Sequence, residues 1–172
     1  MDANERKGRG CLMRVKDILP EDFINYKLPS MFITTCFCDW KCCTELGIDI
    51  GVCQNAPLAQ SENKEINNQT IYDQFVNNPI TKAVVIGGLE PMIQINEVID
   101  LINLFRNQGE DCPFVIYTGY YPNEIPEPLE RLKQYKNIIV KFGRFIPNSQ
   151  SKYDEVLGIT LASSNQYAEV IS

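Results

Sequence analysis

The chain of 172 residues contains no histidine. That absence removes the commonest proton shuttle of neutral pH and the commonest nitrogen ligand for zinc, copper and non-haem iron. Positive charge is also scarce: 16 lysines and arginines face 22 aspartates and glutamates, a formal charge of −6. A general nucleic-acid binder needs a basic stripe, so nucleic acid is not an expected partner. The basic residues near the start (Arg6, Lys7, Arg9, Arg14 and Lys16) read as part of a solvated lead-in. No apolar run approaches the ~20 residues that span a bilayer, so no membrane partner is expected. The opening Met1-Asp2-Ala3-Asn4-Glu5 lacks the apolar core of a signal peptide. Internal repeats and low-complexity tracts are also missing. The expectation is a single compact domain in the reducing cytoplasm.

What the chain has in excess is cysteine. Five of its seven cysteines (Cys36, Cys38, Cys42, Cys43 and Cys53) fall within eighteen residues. Thiols this dense in a reducing compartment point to a metal or a cluster rather than to disulfides. Without imidazole the site must be thiolate-rich, which suits iron–sulfur first and zinc second, with a group of inert buried thiols as the remaining reading. Cys11 and Cys112 stand alone and read as small packing residues.

Residues 1–27 read as a polar, irregular lead-in, and 28–172 as the domain proper. Met31-Phe32-Ile33-Thr34-Thr35 has the apolar, β-branched character of a short buried strand running into the cysteine loop. Residues 55–68, rich in Asn, Gln, Ser and Glu, read as a surface connection. Ile71, Tyr72, Phe75 and Val76 then recur at helical spacing. Ala83–Ile86 reads as a strand ended by Gly87-Gly88. Ile95, Val98, Ile99, Ile102 and Phe105 mark one helix face. Phe114–Tyr117 is a further strand, Pro128–Tyr135 a helix and Ile138–Val140 a last strand. Strands alternating with helices imply an α/β fold with a mostly parallel sheet and right-handed crossovers. Ligands of such sheets bind at the carboxyl ends of the strands. The cysteine loop, Gly87-Gly88 and Thr118-Gly119-Tyr120 each follow a strand, so all three are expected on one rim.

The motifs on that rim resemble those of radical S-adenosylmethionine enzymes. Cys38-Asp39-Trp40-Lys41-Cys42 is similar to the first half of their C-x3-C-x2-C signature, and Cys53-Gln54-Asn55 to its end. Ten residues separate Cys42 from Cys53 in place of two. Loop entropy grows slowly with length, so the longer loop can still close. Cys36 and Cys43 remain alternates for Cys38 and Cys42. Gly87-Gly88-Leu89-Glu90-Pro91 resembles the Gly-Gly-Glu-Pro motif of the same enzymes, with Gly88 at the first glycine and Leu89 where the second stands. Tyr117-Thr118-Gly119-Tyr120, Lys141-Phe142-Gly143-Arg144-Phe145-Ile146 and Leu161-Ala162-Ser163-Ser164-Asn165-Gln166 resemble segments of the activating proteins of anaerobic ribonucleoside-triphosphate reductase. In the second of these Phe142 stands where Asp is usual.

The resemblance implies a 4Fe-4S cluster on Cys38, Cys42 and Cys53. It implies S-adenosyl-L-methionine bound by Gly87, Gly88, Glu90, Pro91, Thr118 and Asn165. One-electron cleavage would give methionine and a 5′-deoxyadenosyl radical, which would take hydrogen from a glycine of the reductase large subunit. The implied partners are that glycyl-radical protein and a flavodoxin- or ferredoxin-type electron donor. No acid or base beyond the cluster is implied, in keeping with the missing histidine. A full eight-unit barrel takes ~250 residues, so a partial, open (β/α) barrel is expected, with the cluster loop after its first strand. The insert 44–52 is a candidate for partner specificity. Trp40 and Phe37 are read as packing residues rather than as a shield over the cluster. Rival readings are a non-catalytic or degenerate cluster- or zinc-binding module, an activase of another glycyl-radical enzyme, and a plain α/β domain with incidental thiols.

Overall fold

The computed structural model describes residues 11–172. Arg6, Lys7 and Arg9 of the basic lead-in lie outside the described residues.

The core is one six-stranded sheet. Its strands are β2 (Asp17–Asp22), β3 (Ser30–Thr34), β5 (Ala83–Gly87), β6 (Phe114–Tyr117), β7 (Ile138–Phe142) and β10 (Tyr167–Val170). The order across the sheet is β10-β7-β6-β5-β3-β2. The four central strands are parallel, and the two outer strands run antiparallel to their neighbours. Every residue of β5 and β7 is buried, as expected of parallel strands covered on both faces. The sheet is mixed, mostly parallel and open, as the strand and helix patterns predict.

Alternation along the strands separates two cores. Met31, Ile33, Val84, Ile86, Phe114, Ile116, Ile138, Val140 and Phe142 face the helical side. There they meet α3 (Asn68–Val76), α4 (Ile95–Asn107) and α5 (Pro126–Leu132). The α4 helix buries Ile95, Val98, Ile99, Leu101, Ile102 and Phe105, one face at helical spacing. Phe105 is its centre: Tyr72, Phe75 and Phe114 surround it at centroid distances of 5.1, 5.3 and 5.1 Å. On the other, inner face Ala83, Val85, Val115 and Ile139 pack under Tyr26, Leu157 and Leu161. Leu157 and Leu161 belong to the small hairpin region of β8 (Lys152–Asp154) and β9 (Ile159–Leu161).

Two segments differ from the sequence reading. Part of the supposedly irregular 1–27 is structured: β1 (Leu12–Val15) and β2 occupy residues 12–22. The expected surface connection 55–68 contains α2 (Ala56–Gln60) and β4 (Lys64–Asn67). β1 and β4 pair antiparallel, with Met13 opposite Ile66. The reason is that alternation in four residues such as LMRV is too short to register as a strand, yet Met13 and Val15 become fully buried once the partner is present. Lys16, buried between these elements, donates to the carbonyls of Ala59 (2.8 Å) and Ser61 (2.5 Å). It thereby satisfies the end of α2, where helical carbonyls lack partners.

Candidate metal centre

The carboxyl ends of β3, β5, β6 and β7 open onto a cavity of about 510 Å³, within the range of ligand pockets. Cys38, Cys42 and Cys53 line it, and all three are partly exposed. Cys36 and Cys43 are buried and lie off its wall. Cys36 sits beneath the rim, its N–H donating to Gln94 Oε1 at 2.8 Å.

Local backbone explains the arrangement. The chain leaves β3, and Trp40 takes the left-handed region with φ 59°, at the start of the short helix α1 (Lys41–Leu46). This conformation is rare for a bulky side chain and costs free energy unless the surroundings impose it. Here the Trp40 N–H donates to Cys38 Sγ at 3.3 Å. The turn brings Cys38 and Cys42 to the same opening. Trp40 lines the cavity wall, whereas Phe37 lies off it under the Arg14 guanidinium, 4.7 Å from the ring centre.

Burial pushes the Cys38 thiol up to about 12, opposed by the hydrogen bond from Trp40. Burial also raises Cys42, opposed by a backbone hydrogen bond at Phe145 and by the charge of Lys141. Burial thus favours the protonated form of Cys38 and Cys42, and a metal that binds them must displace those protons.

Across the cavity stands Glu90, buried to 5% exposure. Its Oε1 accepts from Thr118 Oγ1 (2.8 Å) and Met92 N (3.0 Å), and its Oε2 from Gly119 N (2.9 Å). Burial raises its carboxyl to about 7, against the pull of those three donors. Gly88 holds φ +81°, and a Cβ there would meet Leu58 Cδ2 at 3.0 Å and Thr34 Cβ at 3.1 Å. Only glycine turns the chain this tightly at the strand end. Leu89 is buried to 7% exposure beside it and lines the same wall. Gly119 lies between the two sides: a Cβ there would lie 3.3 Å from Cys42 Sγ and 3.6 Å from Glu90 Oε2.

The helix carrying Cys42 is tied to the rim by charge. Arg144, 8% exposed at its side chain, reaches Glu124 (2.7 and 2.6 Å), Glu45 (2.8 Å) and the Gly119 carbonyl (3.0 Å). Its Nε lies 2.6 Å from Glu45 Oε2 as an ion contact without hydrogen-bond alignment. Lys41 joins Glu124 at 2.5 Å. The Arg144 hydrogen bonds, helped by Lys41, hold Glu124 well below the usual carboxylate range. Tyr120 OH donates to Asp39 Oδ2 at 2.5 Å, a second tie between the cysteine loop and the end of β6.

Of the residues singled out in the sequence, Cys38, Cys42, Cys53, Gly88, Glu90 and Thr118 therefore meet at one cavity. Gly87 and Pro91 are not among the residues that line it. Asn165 also lies off the lining: its Nδ2 donates to Arg144 O (2.9 Å) and Tyr121 OH (3.0 Å), while its buried Oδ1 has no partner among the described residues. Sequence reasoning missed Lys141, which lines the cavity at 7% exposure. A lysine inside the buried run Ile138–Phe142 was the available signal.

Cys38, Cys42 and Cys53 surround one cavity, and with no histidine in the chain the donor set there is all thiolate. An iron–sulfur cluster takes each thiolate on a separate iron, so three thiols about one cavity suit it.

Comparison with known proteins agrees. The 4Fe-4S single cluster domain family matches residues 30–168, and the chain belongs to that family. No curated protein matches the chain.

Proposed function

We propose, from the chain's place in the 4Fe-4S single cluster domain family, that this protein is a radical S-adenosylmethionine activase for an anaerobic ribonucleotide reductase. The observation that carries the reading is the meeting of Cys38, Cys42 and Cys53 with Gly88, Leu89 and Glu90 at one cavity. The family-like motifs around that cavity supply the substrate class. Cys38, Cys42 and Cys53 would hold the cluster, which when bound would supply the electron for cleaving S-adenosylmethionine to methionine and a 5′-deoxyadenosyl radical.

The chain's own residues do the placing. Glu90 presents a carboxylate already aimed by Thr118 and Gly119, which suits the ammonium of a methionine moiety. Gly88 lets the backbone approach that moiety closely. Leu89, Leu58 and Ile159 give the cavity apolar walls that exclude water from a reactive species. Arg144, through Glu45 and Glu124, fixes the helix that carries Cys42. The glycyl-radical subunit of the reductase is the proposed macromolecular substrate, with a flavodoxin- or ferredoxin-type protein as electron donor.

One second reading has its own support. Leu89 is buried where a glycine is usual, and the cysteine spacing is widened, both of which suit a cluster-binding module without cleavage activity. One experiment separates the two. The protein is loaded with iron and sulfide without oxygen and reduced, and the cluster's electron paramagnetic resonance is followed as S-adenosylmethionine is added. A shifted signal with 5′-deoxyadenosine in the same tube is expected. A cluster that ignores the ligand and yields no 5′-deoxyadenosine would leave the binding module.

A further inference from the structure

We propose that Lys141 is the electrostatic partner of the cluster: its ammonium, held on the inner face of the sheet, offsets the negative charge of the thiolate-bound cluster and raises its reduction potential. Val85, Val115 and Ile139 form a row on the inner face, and Lys141 follows Ile139 two residues on, hence on the same side of β7. Its neighbours across the sheet are Tyr117 on β6 and Ala168 on β10.

A cation at such a position needs a reason. Taking an ammonium out of water is costly unless a counter-charge replaces the solvent. Among the described residues, Lys141 Nζ makes one hydrogen bond, to the Gly143 carbonyl at 3.1 Å, and lies 5.7 Å from the centre of the Tyr117 ring. Among the described residues no carboxylate forms an ion pair with it. Glu90 lines the same cavity but makes no ion contact with it, its oxygens accepting from Thr118, Gly119 and Met92. Another group on that cavity is Cys42, whose sulfur lies against Gly119, and the Thr118 N–H of the same turn donates to the Lys141 carbonyl at 2.8 Å. Lys141 is thus a buried cation without an ion pair among the described residues, on the wall of the cavity that Cys38, Cys42 and Cys53 also line.

The missing counter-charge is the cluster. Three thiolates bring more negative charge than a 4Fe-4S core cancels, and reduction adds one more. A fixed cation nearby favours the reduced, more negative form, because Coulomb attraction is weakly screened away from water. Charge and hydrogen bonding around a cluster are established controls of its potential.

The inference rests on the cluster and not on S-adenosylmethionine chemistry, so it is tested without that compound. The full-length protein, its Lys141→Met and Lys141→Gln variants and the charge-preserving Lys141→Arg are reconstituted with iron and sulfide. Midpoint potentials are then read by dye-mediated titration with electron paramagnetic resonance. Lys141→Met and Lys141→Gln are expected to shift the midpoint negative by a tenfold change in the reduced-to-oxidised ratio, about 59 mV for one electron. Lys141→Arg should retain most of the wild-type value. Equal midpoints in all four proteins overturn the proposal. So does an unmoved midpoint with weakened binding of S-adenosylhomocysteine, which would assign Lys141 to a ligand carboxylate. Should Lys141→Met take up no iron while Lys141→Arg does, the charge is required for assembly and the proposal stands; loss in both overturns it. Thermal unfolding of the metal-free proteins is the control for architecture. Lys141→Met should melt no lower than wild type, since it removes a buried charge without a partner. A marked drop would mean that Lys141 serves the Gly143 turn instead. A shifted midpoint with no 5′-deoxyadenosine formed would reject the activase reading alone.

Discussion

The sheet and the cysteine loop are built on opposite principles. Along β5 and β7 every residue is buried, and the strands hold one another through apolar surface and ladder hydrogen bonds. Between residues 35 and 62 only Thr35, Cys36 and Cys43 are buried, and the segment is made of short helical turns. Its remaining ties are polar: Lys16 on Ala59 and Ser61, Arg144 on Glu45, Tyr120 on Asp39. A segment with so little apolar burial draws its order from ligation and charge, whereas the sheet needs neither. The loop is positioned by the sheet, and the cluster is expected to complete it.

The sharpest way to break this comparison is to remove the thiols. Serine at Cys38, Cys42 or Cys53 should abolish iron and sulfide uptake, measured by metal content and visible absorbance, while the far-ultraviolet circular dichroism of the sheet persists. Alanine at Cys36 or Cys43, both off the cavity wall, should leave uptake largely intact. Equal losses at all five positions would mean that the cavity is not the cluster site.

The converse change strikes the sheet. Phe105→Ala removes the ring between Tyr72, Phe75 and Phe114, and should cost about 3–5 kcal/mol in a denaturant titration of the metal-free protein. A cost below 1 kcal/mol would show that this aromatic group is not the centre of the helical-side core.

Gly88→Ala probes the junction between the two regions. The positive φ and the contacts with Leu58 and Thr34 should cost roughly 1–3 kcal/mol and displace the wall beside Glu90. Stability unchanged in the same titration would mean that the turn relaxes freely.

The mildest test is a pH slope. Glu90 is raised by burial to about 7, above the ~4.3 of an unfolded glutamate. Between those values the native state holds the extra proton, so Glu90 lowers the stability of the metal-free protein as pH rises. Its share is at most about 1.4 kcal/mol per pH unit. Glu90→Gln should flatten that part of the profile, and an unaltered slope would place the titration elsewhere.

Much of the framework was legible before any coordinates. The apolar runs of β3, β5, β6 and β7 and the 3.6-residue stripe of α4 are local patterns, and each sits within a few residues of its expected place. The rim location of the cysteine loop followed from parallel topology alone. β1, β2 and β4 were not legible, because four to six residues of mixed polarity become strands only when a partner covers one side. Asn165 illustrates the other limit. Its motif pointed to a ligand, but the tertiary path of the chain engages its amide nitrogen with Arg144 and Tyr121.

The sequence by itself determined the α/β framework, the thiolate-rich character of the site and the strand ends at which it lies, since these depend on composition, periodicity and chain order. Only the tertiary structure decided that Cys38, Cys42 and Cys53 face one cavity while Cys36 and Cys43 do not. It alone placed Glu90 and Lys141 on the walls beside them. The reason is that the direction of a side chain depends on strand register and on the contacts of distant segments, which no local pattern carries.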